Sequence, residues 1–282
     1  MILPDEFQFS QGSLQDYVDC SRRFQLRYVR RLRWPAVEME PALQNERHLR
    51  QGAAFHRLVR QHLMGIPVET LSRTVASPEL RRWWSNYLES EMAHLPSWRY
   101  PEVRLSTPVG NHRLVAQYDL IAAGPSRQVL IVDWKTNRKR SRRDWLSERL
   151  QTHVYPYVLV QAGGDLGNGL PIQPDQLTMI YWFANFPSAP ERFTYDADQY
   201  RADETYLLNL VEEIDECVRE RAEEGLLPRT EDRERCSFCR YRSLCRRGID
   251  AGWSDEIERG VTSDEPLEIS LDFEQIAELD AG

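Results

Sequence analysis

Val129-Leu130-Ile131-Val132-Asp133-Trp134-Lys135-Thr136-Asn137 is the stretch on which the reading of this chain turns. Its first four residues are apolar and mostly β-branched, as suits a strand covered on both faces. Asp133 and Lys135 follow at i and i+2, so they project from the same face of that strand and share one site at its end. Lysine is a pointed choice there. Lys135 and Lys139 are the only lysines among 36 basic residues, the rest being arginine.

Working outward, residues 112–122 and 128–135 read as strands joined by the turn sequence Ala123-Gly124-Pro125-Ser126-Arg127. Pairing residue 122 with residue 129 across that turn puts Asp119 opposite Val132 or Asp133. Two carboxylates and a lysine then converge at the edge of an apolar sheet. A further strand is expected over 102–109, after Pro96 and Pro101, and Glu102 at its start is a candidate third acid. Downstream comes the basic run 138–143, then a helix opened by the capping signature Ser141-Arg142-Arg143-Asp144. Gln151 and Tyr155 share a face of that helix, and Pro156 bends it at Tyr155. The plain reading of the pair is an exposed glutamine and a packing tyrosine. A glycine- and proline-rich loop over 163–176 leads to strands over 177–184 and 192–195 and a helix over 198–224. No GxxxxGK[ST] loop is present, so an ATP-driven motor would have to come from another chain.

Upstream, a first helix is expected from Ser13, with Leu14, Tyr17, Phe24 and Tyr28 as its buried stripe. Arg23, Arg27 and Arg30 line another face, either a solvated basic face or a ridge for phosphates. A second helix over 45–64 places His56 in an apolar row with Leu49, Ala53, Val59 and Leu63, where a hydrogen-bonded core histidine is the commoner finding. A third helix, over 78–93, opens on Pro78.

With 282 residues, 41% of them hydrophobic, the chain can bury a substantial core. The formal charge of −8 belongs to the end of the chain. Residues 253–282 hold ten acids and one base, which leaves the preceding body at +1. No signal peptide or apolar span is evident, and a cytoplasmic protein is expected. In that compartment the five cysteines (Cys20, Cys217, Cys236, Cys239 and Cys245) point to metal ligation more than to disulfides. Cys236, Cys239 and Cys245 are spaced C-x2-C-x5-C, and Cys20 or Cys217 would supply a fourth thiolate. Cys217 lies within the last helix, where a buried thiol is the plainer reading. Spacing alone does not separate zinc from an iron–sulfur cluster.

Asp119, Asp133-Trp134-Lys135 and Gln151-x3-Tyr155, in this order, resemble the PD-(D/E)XK nuclease superfamily and within it the RecB-like exonucleases. Cys20 together with Cys236, Cys239 and Cys245 resembles the iron–sulfur subgroup, which includes the CRISPR-adaptation nucleases and the AddB helicase–nuclease subunit. The resemblance implies an α/β fold with a restriction-endonuclease-like central mixed sheet flanked by helices. Its N- and C-terminal segments, around 13–33 and 228–248, would join at a cysteine-ligated cluster. The nuclease domain would span 1–250, leaving 251–282 as an acidic tail. The implied metal set is His56, Asp119, Asp133 and the Trp134 carbonyl, holding Mg2+ or Mn2+. Asp119, Asp133, Lys135, Gln151 and Tyr155 are the implied catalytic residues. Cys20, Cys236, Cys239 and Cys245 would bind the cluster, expected as 4Fe-4S with zinc as the alternative. Cys20 is followed by Ser21, where the family usually has proline. The implied activity is metal-dependent cleavage of DNA, on single strands or duplex ends, in repair, recombination or CRISPR adaptation, with a helicase or repair protein as partner and no membrane. The arginines of the first helix and of 138–143 would grip phosphates without reading sequence. The competing reading is a non-catalytic DNA-binding or scaffolding subunit of a larger complex.

Overall fold

The computed structural model describes residues 3–248 except 5, 34–41, 96–97, 125–126, 165, 167–170, 222–224 and 237–238. The acidic tail therefore lies outside the described residues. A mixed sheet is built on β3 (His112–Ala123), which pairs antiparallel with β2 (Trp98–Val109) along its whole length. Its other edge changes partner. Short β1 (Gln8–Ser10) runs parallel beside residues 113–115, and β4 (Val129–Lys135) runs antiparallel beside residues 120–123. Beyond β4 the sheet continues with β5 (Leu177–Phe183), parallel, and β6 (Glu191–Thr194), antiparallel.

Helices cover both faces because the strands are apolar on both. On one face α1 (Gln11–Asp19), α7 (Leu150–Ala162) and α8 (Ala197–Arg221) enclose Tyr118, Ile121, Ile131, Tyr181 and Phe183. On the other, α3 (Ala42–Leu63) and α5 (Pro78–Glu89) enclose Leu120, Val132, Trp134 and Trp182. Short helices α2 (Ser21–Phe24), α4 (Val68–Ser72) and α6 (Arg143–Ser147) connect them. Among the described residues, no helix is long and apolar enough to cross a membrane.

The strand expectations fit closely, and so does the start of the third helix at Pro78; other helix bounds differ. The first helix begins at Gln11 because Ser10 is its cap: Ser10 Oγ accepts from the Ser13 N–H and Ser13 Oγ accepts from the Ser10 N–H. It stops at Cys20, whose backbone is extended, so the expected single stripe is divided between α1, α2 and a π-helical turn over Gln25–Val29. The helix after the basic run is likewise two, α6 and α7, neither capped by Ser141. The third helix ends at Glu89 and is followed by a 3-10 turn. β2 begins ahead of Pro101, which is tolerated because β2 is an edge strand where a missing donor can face away from the ladder.

The inward row of α3 is Phe55, Leu58 and Val59, which turns His56 to the margin of the buried face. Phe55 stacks on Trp182 with ring centroids 6.0 Å apart and meets Trp83 and Tyr87 edge-on. One turn earlier, Gly52 lies against Thr136: a Cβ there would stand 2.9 Å from the Thr136 hydroxyl, so glycine lets α3 approach the end of β4. Phe55→Ala should lower unfolding stability by about 3–5 kcal/mol in urea titration, whereas a change under about 1 kcal/mol would mean that this aromatic nest does not seat α3.

Candidate active site

The site lies where the β3 edge passes from β1 to β4. The β3–β4 ladder ends at Leu120↔Val132, one register step from the sequence-based pairing, and this brings Asp119 level with Asp133. Instead of continuing the ladder, Asp119 Oδ2 accepts the Trp134 backbone N–H at 2.8 Å. Side-chain alternation slips at the same point. Tyr118 faces the α7 core and Leu120 the α3 core, though regular alternation would put both on one face. The paired strand slips too: Tyr100 and Val103 both pack on the α7 side, and Glu102 between them takes a left-handed φ of 55°. The register Pro101↔Leu120 and Val103↔Tyr118 runs through unchanged, so Glu102 and Asp119 sit directly across from each other.

This slip delivers Asp119 to the side of α3, where its Oδ1 is 3.1 Å from His56 Nδ1. Burial penalises the imidazolium, but the carboxylates of Asp119, Asp133 and Glu102 outweigh it and raise the His56 pKa above its ordinary value. Burial also disfavours the Asp119 carboxylate, yet His56, the Trp134 N–H and Lys135 hold its pKa below the usual range.

Asp133 and Lys135 project to the opposite face, toward α7, as the i, i+2 spacing requires. Lys135 Nζ is 3.2 Å from Asp133 Oδ2. Gln151 bridges the two, its Nε2 donating to Asp133 Oδ1 at 2.6 Å and its Oε1 accepting from Lys135 Nζ at 3.0 Å. Gln151 is therefore buried, contrary to the plain reading of an exposed glutamine. Tyr155 is buried one turn further along, its ring against Tyr118 and its carbonyl accepting the Tyr118 hydroxyl at 2.8 Å. Burial and then the Asp133 and Asp119 charges push its phenol well above the ordinary value, so it stays neutral.

Four of the expected catalytic residues thus border one gap in the sheet, with Asp119 and the expected metal ligand His56 on one side and Asp133, Lys135 and Gln151 on the other, while Tyr155 packs behind them on Tyr118. In the structure the Asp133 carboxylate pairs with Lys135 and the Asp119 carboxylate lies against the His56 ring, and among the described residues no three His, Cys, Asp or Glu groups converge tightly enough to hold a metal as they stand. The donors that would hold a hard cation are nonetheless gathered at this gap.

The cysteines form a second assembly. Cys20, Cys236, Cys239 and Cys245 line one pocket with Arg23, Arg229, Arg242 and Arg247, and all are free thiols. Cys217 is not in the lining; it lies beside Tyr17. Burial raises the thiol pKa of Cys236 and carries that of Cys239 up to about 11. The two chain ends are also joined by hydrogen bonds: Arg22 Nε to the Leu227 carbonyl at 2.6 Å, Gln25 Oε1 from the Leu227 N–H at 2.8 Å, and Tyr241 to the Leu32 carbonyl at 3.0 Å. This corrects the reading of the first-helix arginines. Arg23 and Arg27 pair with Asp16 and Asp19 and Arg22 binds the Leu227 carbonyl, so these three are engaged within the fold, while Arg30, which binds the Gly225 carbonyl, stays exposed. Of the second basic run, Arg140 and Arg143 share Glu191 while Arg142 is exposed.

A family model described as the PD-(D/E)XK nuclease superfamily matches residues 8–246. Among solved structures, the chain is similar to a candidate exonuclease from Eubacterium rectale at 8% identity and a TM-score of 0.49, over 91% of this chain and 94% of that one. It is also similar to the protein SSO0001 at 12% identity and a TM-score of 0.38, over 84% of this chain and 85% of that one. No curated protein matches it in sequence. With a family match over most of its length, and with the motif acids and lysine gathered at one break in a mixed sheet, the chain belongs to the PD-(D/E)XK nuclease superfamily.

Proposed function

We propose that this chain is a metal-dependent deoxyribonuclease that cleaves phosphodiester bonds of DNA as an exonuclease, on single strands or duplex ends, in the cytoplasm. The observation that carries this reading is the Gln151 bridge, which holds Asp133 and Lys135 together within the charge field of Asp119 and His56. Asp119, Asp133, His56 and the Trp134 carbonyl would hold Mg2+ or Mn2+. Such a cation, when bound, lowers the pKa of a coordinated water and offsets charge on the scissile phosphate. Gln151 fixes Asp133 and Lys135 at the gap through its amide, and Lys135 would orient the attacking water and offset phosphate charge. The exposed basic residues Arg138, Lys139, Arg140 and Arg142 lie just past the end of β4 and would hold the strand through its phosphates. We further propose that Cys20, Cys236, Cys239 and Cys245 bind an iron–sulfur cluster. Four thiols from both chain ends suit it, and the arginines around them would offset its negative charge.

Wild type should degrade labelled single-stranded DNA with Mn2+, and Asp133→Asn and Lys135→Met should each slow cleavage about 10²–10³-fold. Equal rates in all three would overturn the site. Anaerobically purified protein should be brown and contain iron, and Cys236→Ser should lose the colour; a colourless protein with one zinc would replace the cluster by a zinc clasp.

The His56–Asp119 pair also fixes a pH dependence. Because the His56 pKa is raised on folding, its contribution is full below the ordinary value of 6.5 and is lost as pH rises through the folded value. Because the Asp119 pKa is lowered, its contribution is present above the ordinary 3.8 and is lost as pH falls. Between those limits wild type should exceed Asp119→Asn in stability by about 1 kcal/mol, and the margin should shrink as pH rises past 6.5 and His56 loses its proton. NMR titration should show the His56 pKa falling in Asp119→Asn. An unchanged His56 titration would remove the ion pair from the account.

A further inference from the structure

The catalytic pair is held by Gln151, and Gln151 is the second residue of α7, so the seating of that helix end sets the geometry of Asp133 and Lys135. The helix does not cap itself. Its N-cap residue, Arg149, makes no side-chain capping bond. Its first N–H, that of Leu150, is instead accepted at 3.1 Å by Gln15 Oε1, from the first helix of the chain and 135 positions away in sequence. Both ends of this contact are buried.

The Gln15 amide has one orientation available. Its Nε2 donates to Asp19 Oδ1 at 2.9 Å, so its oxygen is the end turned to Leu150. Asp19 is itself fixed by Arg23 Nη2 at 2.7 Å, by Arg235, and by Arg149 Nη1 at 4.0 Å. Arg235 directly precedes Cys236 and Asp19 directly precedes Cys20, so the series of contacts starts at the cysteine pocket and ends on Gln151.

We propose that Gln15 is a positioning residue for the reaction: it caps α7 from outside and thereby holds Gln151 on Asp133 and Lys135. The proposal rests on the nuclease reading above. A glutamine here supplies an acceptor to the helix and a donor to Asp19 at once. Methionine has similar length and offers neither, while glutamate keeps the acceptor alone.

The test uses the full chain with Gln15→Met and Gln15→Glu, each in the wild-type and Gln151→Ala backgrounds. Cleavage of single-stranded DNA with Mn2+ is followed alongside amide hydrogen exchange of residues 150–153. Gln15→Met is expected to lower kcat about tenfold with KM within about twofold, and to speed exchange at 150–153. In the Gln151→Ala background the same change should leave kcat where it is, because the residue through which Gln15 acts is gone. Gln15→Glu keeps the acceptor but sets a carboxylate beside Asp19, offset by Arg23, Arg149 and Arg235, and should protect 150–153 better than Gln15→Met does and recover part of kcat. An equal fractional loss in both backgrounds would reduce Gln15 to a general stabiliser and overturn the proposal, as would unchanged exchange in Gln15→Met. If Gln15→Met fails to fold, Gln15→Glu decides: fast exchange at 150–153 in a folded Gln15→Glu protein contradicts an acceptor role. If wild type cleaves nothing, the nuclease reading fails by itself, and the exchange data still decide whether Gln15 caps α7.

Discussion

The partner change along one edge of β3 is the constraint on which the rest depends. Between the residues paired with β1 and those paired with β4, the strand leaves a short stretch of backbone edge uncovered by either. Peptide groups at such a gap must find partners or carry a desolvation cost. Asp119 meets part of that demand by accepting the Trp134 N–H through its side chain. A carboxylate thereby becomes part of the backbone bonding of the sheet. The matched slips at Glu102 and Asp119 follow from the same gap, since β2 stays in register with β3 throughout and must kink where its partner kinks. A left-handed φ in a glutamate is strained, and such strain persists where the surroundings hold it in place.

Two cores hold this opening from opposite sides. The aromatic nest of Phe55, Trp83, Tyr87, Trp134 and Trp182 fixes α3 and with it His56, and the tyrosine contact between Tyr118 and Tyr155 fixes α7 and with it Gln151. Charges so close to apolar walls are costly unless paired. The site answers by setting one basic side chain against each acid, His56 against Asp119 and Lys135 against Asp133. A divalent cation arriving at the gap would compete with these two groups for the same oxygens. Its binding would therefore strengthen with rising pH as His56 gives up its proton.

Much of this was legible in the sequence because it rests on short-range rules. The apolar run 129–132 followed by Asp133 and Lys135 identifies a central strand and which face its charges take. The turn at 123–127 brings Asp119 within one register step of its place, and the four-residue spacing of Gln151 and Tyr155 puts both on one buried helix face. Other features depend on contacts that no local pattern encodes. Ser10 displaced Ser13 as the helix cap because two serines three apart can each serve the other. The first-helix arginines looked like a surface ridge because their partners, Asp16, Asp19 and the carbonyls of 225–227, become neighbours only when the chain ends meet. The sequence marks Glu102 as an acid without marking its backbone kink, and no local pattern marks Gln15 as a cap. A glutamine that caps a helix 135 residues away is visible only after folding.

The central claim is that the gap between β3 and β4 is a divalent-metal site built from Asp119, Asp133 and His56. The most direct measurement is anomalous diffraction from crystals of the full chain soaked in Mn2+, with Asp119→Ala crystals soaked in parallel. The account predicts a strong peak between the two carboxylates and within reach of the His56 ring in wild type, and none there in Asp119→Ala. A gap without a peak in well-occupied soaks, or the same peak in both proteins, would contradict it.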